Sequence, residues 1–200
     1  MTRIAYLDTV STAPPVYGRP EPWRAHCIRV AVALEEDRKI IATLLRLVDL
    51  LPWVPIDPDW MTRYGVAGLP ADDAELPLIV AQNVSVMLAG ATVVCQNQAF
   101  HRDVLLGLFE DAGIDGPDVD GHVCIMKTAT PIVGARTVVG DKPKSPNLGE
   151  SFKFFSGEVL PPVAGMAWKE AALVQLNAVR RVYWGINQWG VPGDRIEGDT

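Results

Sequence analysis

Apolar residues recur along this chain of 200 residues in stretches whose period predicts the elements. Arg3 to Val10 reads as a short strand. Thr12 to Pro22 follows with four prolines and no hydrophobic period, the pattern of an extended arm. From Pro22 to Leu51, Cys27, Leu34, Ile41 and Val48 recur every seven residues, with Ala31, Leu44, Leu45 and Leu51 on the adjoining ridge. That stripe predicts one long helix ended by Pro52. Ile28 to Val32 also fits a strand, which leaves a shorter helix from Glu35 to Leu51.

Asp57-Pro58 up to Gly65 offers a capping acid, a first-turn proline and a terminating glycine, hence a short helix. Leu76 to Leu88 places Val80, Val84, Met87 and Leu88 at helical spacing and reads as a buried helix, although its β-branched content also allows a strand pair over 76–95. Ala99 to Ala112 carries Phe100, Val104, Leu105, Leu108 and Phe109 on one face, with Gly113 as its stop. His122 to Lys127 and Ile132 to Val139 read as two strands around Thr128 to Pro131, and Phe152 to Phe155 as a third. Val163 to Trp189 forms the second long helix. The predicted fold is mainly α, of α+β type. Two long and two or three shorter helices lie in layers, with a small antiparallel hairpin or three-stranded sheet around residues 122–156. Residues 1–22 form the N-terminal arm, 23–190 a single globular domain and 191–200 a polar tail.

Composition narrows the function. A hydrophobic share of 48% and a mean hydropathy of +0.14 exclude a disordered or low-complexity chain. The net charge of −6 argues against a nonspecific binder of nucleic acid or of anionic membranes, whose signature is a basic excess. The charge is also segregated. Residues 57–120 hold 2 bases against 11 acids, a local charge of −9, between two slightly basic flanks. Blocks of unlike charge can complement each other between neighbouring copies. The odd count of three cysteines suggests reduced thiols and no internal disulfide. The N-terminus lacks the apolar stretch of a signal peptide, and no run is long enough to span a membrane. The expected location is the cytoplasm, or a particle assembled inside the cell.

Candidate chemistry is sparse. His26-Cys27 and His122-x-Cys124 supply four soft ligands, yet at the wrong spacing for a zinc knuckle, so no metal and no cofactor is expected. His101-Arg102-Asp103 is the most reactive-looking triplet, but successive helical residues diverge, and the expected role is a solvated first turn. Asp72, Asp73 and Glu75 could form a carboxylate cluster and read more simply as caps. No nucleophile elbow, phosphate loop, dinucleotide fingerprint or metalloprotease helix occurs. Lys127 to Lys153 carries 5 bases against 2 acids beside Phe152, Phe154 and Phe155. Lys142, Lys144 and Lys153 are therefore candidate nucleic-acid contacts, although the excess is small enough that nucleic acid is not the expected partner. Trp168 and Trp184 fall about 160° apart on one helix, so a single stripe cannot bury both. With Tyr17, Trp23 and Trp189 they are candidate interface residues.

These features point to a non-enzymatic structural subunit of a larger assembly, a shell or virion-type particle protein whose partners are copies of itself or other subunits. The alternative is a small intracellular enzyme, or an accessory subunit of one, with a pocket where His101 or His122 meets an acid. A third reading is a binding adaptor that uses its Trp residues and the 140–150 loop.

Overall fold

A computed structural model of the chain describes residues 2–13, 26–50, 54, 56–64, 66, 71–138 and 141–189. Its centre is one sheet of six strands in the order β4-β3-β2-β1-β5-β6. β1 (Arg3–Ser11), β2 (Cys27–Glu36) and β3 (Lys39–Val48) run antiparallel in sequence. β5 (Thr92–Cys95) and β6 (Gly121–Cys124) continue parallel to β1 on its other side. The short β4 (Ala74–Glu75) closes the far edge beside β3.

Helices cover both faces. α2 (Pro77–Leu88) and α3 (Gln98–Ala112) bury Val80, Val84, Val104 and Leu108 against Ala5, Leu7, Val30 and Val32. α4 (Ile125–Val133), α5 (Leu148–Ser156) and α6 (Trp168–Gln188) bury Ile125, Phe152, Leu176 and Val182 against Ile4, Tyr6, Ala31 and Val94. The residues of β1 therefore alternate between two cores, as a central strand requires. A third, smaller cluster of Val10, Ile28, Met61 and Val66 lies around α1 (Pro58–Arg63), beyond the end of β1.

This α/β architecture overturns the mainly α fold with a small hairpin. Of the long helix expected over 22–51, residues 27–48 are instead the β2–β3 hairpin. Its turn is Asp37 and Arg38, which adopt φ values of 48° and 64°, the left-handed pair a tight hairpin needs. The conformation is held from α6, because Arg180 Nη2 donates to the Arg38 carbonyl at 2.9 Å and the Arg38 guanidinium lies 4.2 Å over the Trp184 ring. β2 is buried on both faces, so its apolar run has no strand alternation, and an accidental seven-residue recurrence mimics a helix.

The hairpin expected over 122–139 is β6 followed by α4. Thr128 and Thr130 return their hydroxyls to the carbonyls of Cys124 and Met126, 3.1 and 2.8 Å away, and Gly134 ends the helix in the left-handed region at φ 61°. The third strand expected over 152–155 lies inside α5. Asn147 and Glu150 start that helix as a reciprocal capping box, with bonds of 2.9 and 2.8 Å. The expected strand over 3–10 and helices over 57–65, 76–88 and 99–112 are present as β1, α1, α2 and α3. The expected helix over 163–189 is present from Trp168. Most of the arm expected over 12–22 lies outside the described residues, as do Tyr17, Trp23 and the tail. Cys27, Cys95 and Cys124 are buried free thiols. Among the described residues no helix is long and apolar enough to cross a membrane.

Candidate functional site

β1, β5 and β6 are parallel, so their carboxyl ends share one edge of the sheet, and β1 stands where a parallel neighbour meets an antiparallel one. Ligands of open α/β sheets lodge beyond strand carboxyl ends, at the point where the chain order reverses. The polar groups of this protein converge there.

Asp8 lies near the end of β1. In the β1–β2 register its direct partner is Ala31 and that of Val10 is Arg29, so Asp8 and Arg29 are diagonal neighbours on one face. Arg29 Nη2 donates to Asp8 Oδ2 at 2.5 Å, and Nη1 donates to the Tyr64 carbonyl at 3.3 Å. The Arg29 side chain is 1% exposed and its Nε–H has no partner among the described residues; the Asp8 side chain is 15% exposed. The carboxylate beside this deeply enclosed guanidinium is what makes its burial tolerable. Burial pushes the neighbouring Cys27 thiol up to about 12, so it stays protonated and inert.

One residue further, Thr9 faces α3. Its backbone N–H donates to His101 Nδ1 at 3.2 Å, and its hydroxyl lies 2.8 Å from the same nitrogen. A backbone N–H can only donate, so Nδ1 accepts and the ring proton sits on Nε2. Burial lowers the His101 pKa below its ordinary 6.5; Asp8 opposes that shift and Arg29 reinforces it. The expected solvated first turn is thus corrected: His101 is buried, and it ties α3 to the central strand. Asp103 meets Arg102 at 3.5 Å instead of His101.

Beside this centre runs a row of half-buried rings. Trp60 of α1 and Tyr64, the residue that caps its carboxyl end, lie 4.5 Å apart, Trp60 and Phe100 of α3 6.5 Å, and Phe100 stands edge-on to His101 at 5.0 Å. The Trp60 Nε1–H has no partner among the described residues. α1 is placed by Asp57, whose carboxylate caps the N–H groups of Asp59 and Trp60, both at 3.0 Å. Across the edge Gln96 donates from Nε2 to the Pro146 carbonyl at 3.0 Å, which fastens the 135–147 loop to the end of β5.

The residues singled out from sequence scatter around this frame. Lys142 and Lys144 lie on the fastened loop, with Lys144 Nζ 2.6 Å from Glu150, and Lys153 is exposed on α5. Trp184 donates to Glu35 Oε1 at 3.0 Å and Trp168 to Asp73 Oδ2 at 3.3 Å, while Trp189 is exposed and packs on Phe154 and Phe155. Glu75 pairs with Arg46 at 3.0 Å, far along the sheet. His26, just before β2, bonds Asp111 of α3 at 3.0 Å and Cys27 starts β2, whereas His122 and Cys124 are on β6, with β1 and β5 between; the four soft ligands do not meet. Asp8, Arg29 and the aromatic row were not found from sequence. A cation inside the apolar run Cys27-Ile28-Arg29-Val30 was the available signal, since it demands a buried acid.

No protein-family model and no curated protein matches the sequence. Solved structures do match in fold. The nuclease domain of 3'hExo, a DEDDh family member bound to rAMP, is 14% identical with a TM-score of 0.67, over 94% of this chain and 92% of that one. A 3'-exonuclease that recognises the histone mRNA stem-loop is 14% identical with a TM-score of 0.63, over 94% and 82%. E. coli exonuclease I in a complex with ssDNA, in its zinc-bound form, is 11% identical with a TM-score of 0.65, over 96% and 42%. At these identities the likeness establishes the fold, and the fold is that of the exonucleases. It overturns the shell or virion-type subunit: the proteins this chain resembles are nucleases, none of those named is a particle protein, and the enzyme alternative fits better. The expectation that nucleic acid is not a partner falls with it, because those proteins are described with RNA and ssDNA.

A divalent ion of the kind such nucleases imply needs several oxygen ligands at one point. The residues at this edge do not fit one. Asp8 is bound to Arg29, Val10 belongs to an apolar cluster, and the Asn97 side chain accepts from Phe100 N at 3.5 Å to cap α3. Among the described residues no group of three or more His, Cys, Asp or Glu could hold a metal ion.

Proposed function

We propose that this protein handles nucleic acid as a member of the exonuclease class by fold, receiving a single strand at the carboxyl edge of its sheet. The observation that carries this reading is the row of Trp60, Tyr64 and Phe100 beside Asp8, Arg29 and His101. Half-buried rings in a row give unpaired bases a stacking surface, and stacking tolerates any base. Lys142, Lys144 and Lys153 contact the strand's phosphates. The amino ends of α3 and α4 open on the same edge and favour anions. The net charge of −6 keeps sequence-independent attraction small, so stacking carries more of the affinity than phosphate contacts do.

Fluorescence anisotropy of a labelled single-stranded oligonucleotide tests this. Trp60→Ala weakens binding roughly tenfold, the loss of one stacked base, and Lys142→Ala weakens it only a few-fold with a shallower salt dependence. No binding of any DNA or RNA strand at about 100 µM protein, the weak end of nonspecific affinity, contradicts the reading.

A further inference from the structure

The centre of this edge has the wrong charge for a hydrolytic metal site. Hydrolysis of a phosphodiester by divalent ions needs carboxylates that converge on the metal and leave positions open for the reacting oxygens. Here the acid on the central strand faces a buried guanidinium at 2.5 Å, and a second group on that strand, Val10, is 2% exposed among Ile28, Met61 and Val66. Of the other polar groups, Asn97 caps α3, His101 Nδ1 accepts from Thr9, and Gln96 donates from Nε2 to the Pro146 carbonyl, which leaves Gln96 Oε1 as a single neutral buried acceptor without a partner among the described residues, too little for a divalent ion. The Arg29 guanidinium already occupies Asp8 Oδ2, the position a cation would need. The Arg29 Nε–H beside Asp8, which has no partner among the described residues, is a donor and offers a cation nothing.

We infer that the Asp8–Arg29 pair stands in place of a divalent ion, so that this edge binds a nucleic-acid strand without metal and does not cut it. The inference rests on the proposed function, since it describes how the same edge works. A strand is then retained at its bound position, and the protein serves as a cap or reader of strands.

The test uses the full chain and two measurements. Anisotropy with a labelled single-stranded oligonucleotide is run in EDTA and again with Mg²⁺ or Mn²⁺, and the strand's length is followed on a denaturing gel. In parallel, Mn²⁺ alone is titrated by calorimetry or electron paramagnetic resonance. The expected results are an affinity unchanged within about twofold between EDTA and Mg²⁺, a strand of unchanged length, and no stoichiometric Mn²⁺ uptake. Strand shortening that needs Mg²⁺ or Mn²⁺ and vanishes in Asp8→Asn overturns the inference and leaves strand binding intact, as does one tightly bound Mn²⁺ per chain. Failure to bind any strand in either buffer contradicts the proposed function instead, and the Mn²⁺ titration then decides alone whether the edge holds a metal.

Discussion

Arg29 and Asp8 face each other diagonally across the β1–β2 pair, two register positions apart, with Nη2 of the one 2.5 Å from Oδ2 of the other. Both chain segments are central to the sheet, so the pair sits where the fold has least freedom to rearrange.

Removing one member leaves a charge stranded. Arg29→Met lowers stability by about 3 kcal/mol, the cost of an uncompensated buried carboxylate, and lowers Tm by several degrees in a domain of this size. Asp8→Asn combined with Arg29→Met costs less than Arg29→Met alone, because no charge remains to be desolvated. Urea denaturation of the three chains measures this; equal losses in the single and double variants contradict it.

His101 makes stability depend on pH. Burial lowers its folded pKa below the 6.5 it recovers on unfolding, so below 6.5 the unfolded chain binds more protons than the folded one. Stability is therefore full above 6.5 and declines as pH falls toward the folded pKa. The imidazole signal of His101 in proton NMR titrates with a midpoint below 6.5, and His101→Gln flattens the decline of Tm over that window. A midpoint above 6.5 contradicts the assignment.

At Gly185 α6 packs closely against Phe155 of α5. A Cβ built there meets Phe155 Cβ at 2.6 Å and Cγ at 2.8 Å. Gly185→Ala gains about 1 kcal/mol of helix propensity and loses about 1–3 kcal/mol to overpacking, a net destabilisation. A higher urea midpoint than wild type contradicts this packing.

Local chemistry made part of the fold readable. Asp57 and Pro58 mark α1, Gly113 stops α3 at φ 66°, and the Phe100 to Phe109 face is helical in spacing because only one side of α3 is buried. Reading failed where burial has two sides. β2 is apolar throughout, its period carries no information, and the turn that separates it from β3 uses Asp37 and Arg38, which depend on Arg180 and Trp184 of distant α6 for support. Asn147 and Glu150 did carry a helix-start signal for α5. The site was less legible still. His101 stood out, yet its partner Thr9 lies 92 positions away, and Asp8 has no meaning until β2 brings Arg29 beside it. The buried Glu35, which accepts from Tyr6, Trp184 and Arg180 at the opposite end of β1, was equally hidden, since its partners lie 29, 149 and 145 positions away.

Photo-crosslinking locates the bound strand. A single strand bearing photoreactive pyrimidines is irradiated with the protein and the attached peptides are mapped by mass spectrometry. Attachment is expected at Trp60, Tyr64 and Phe100, on α1, at its carboxyl-end cap and on the first turn of α3. Attachment confined to the outer face of α2, around Leu78 and Val86, or to the α5–α6 surface around Trp189, contradicts it.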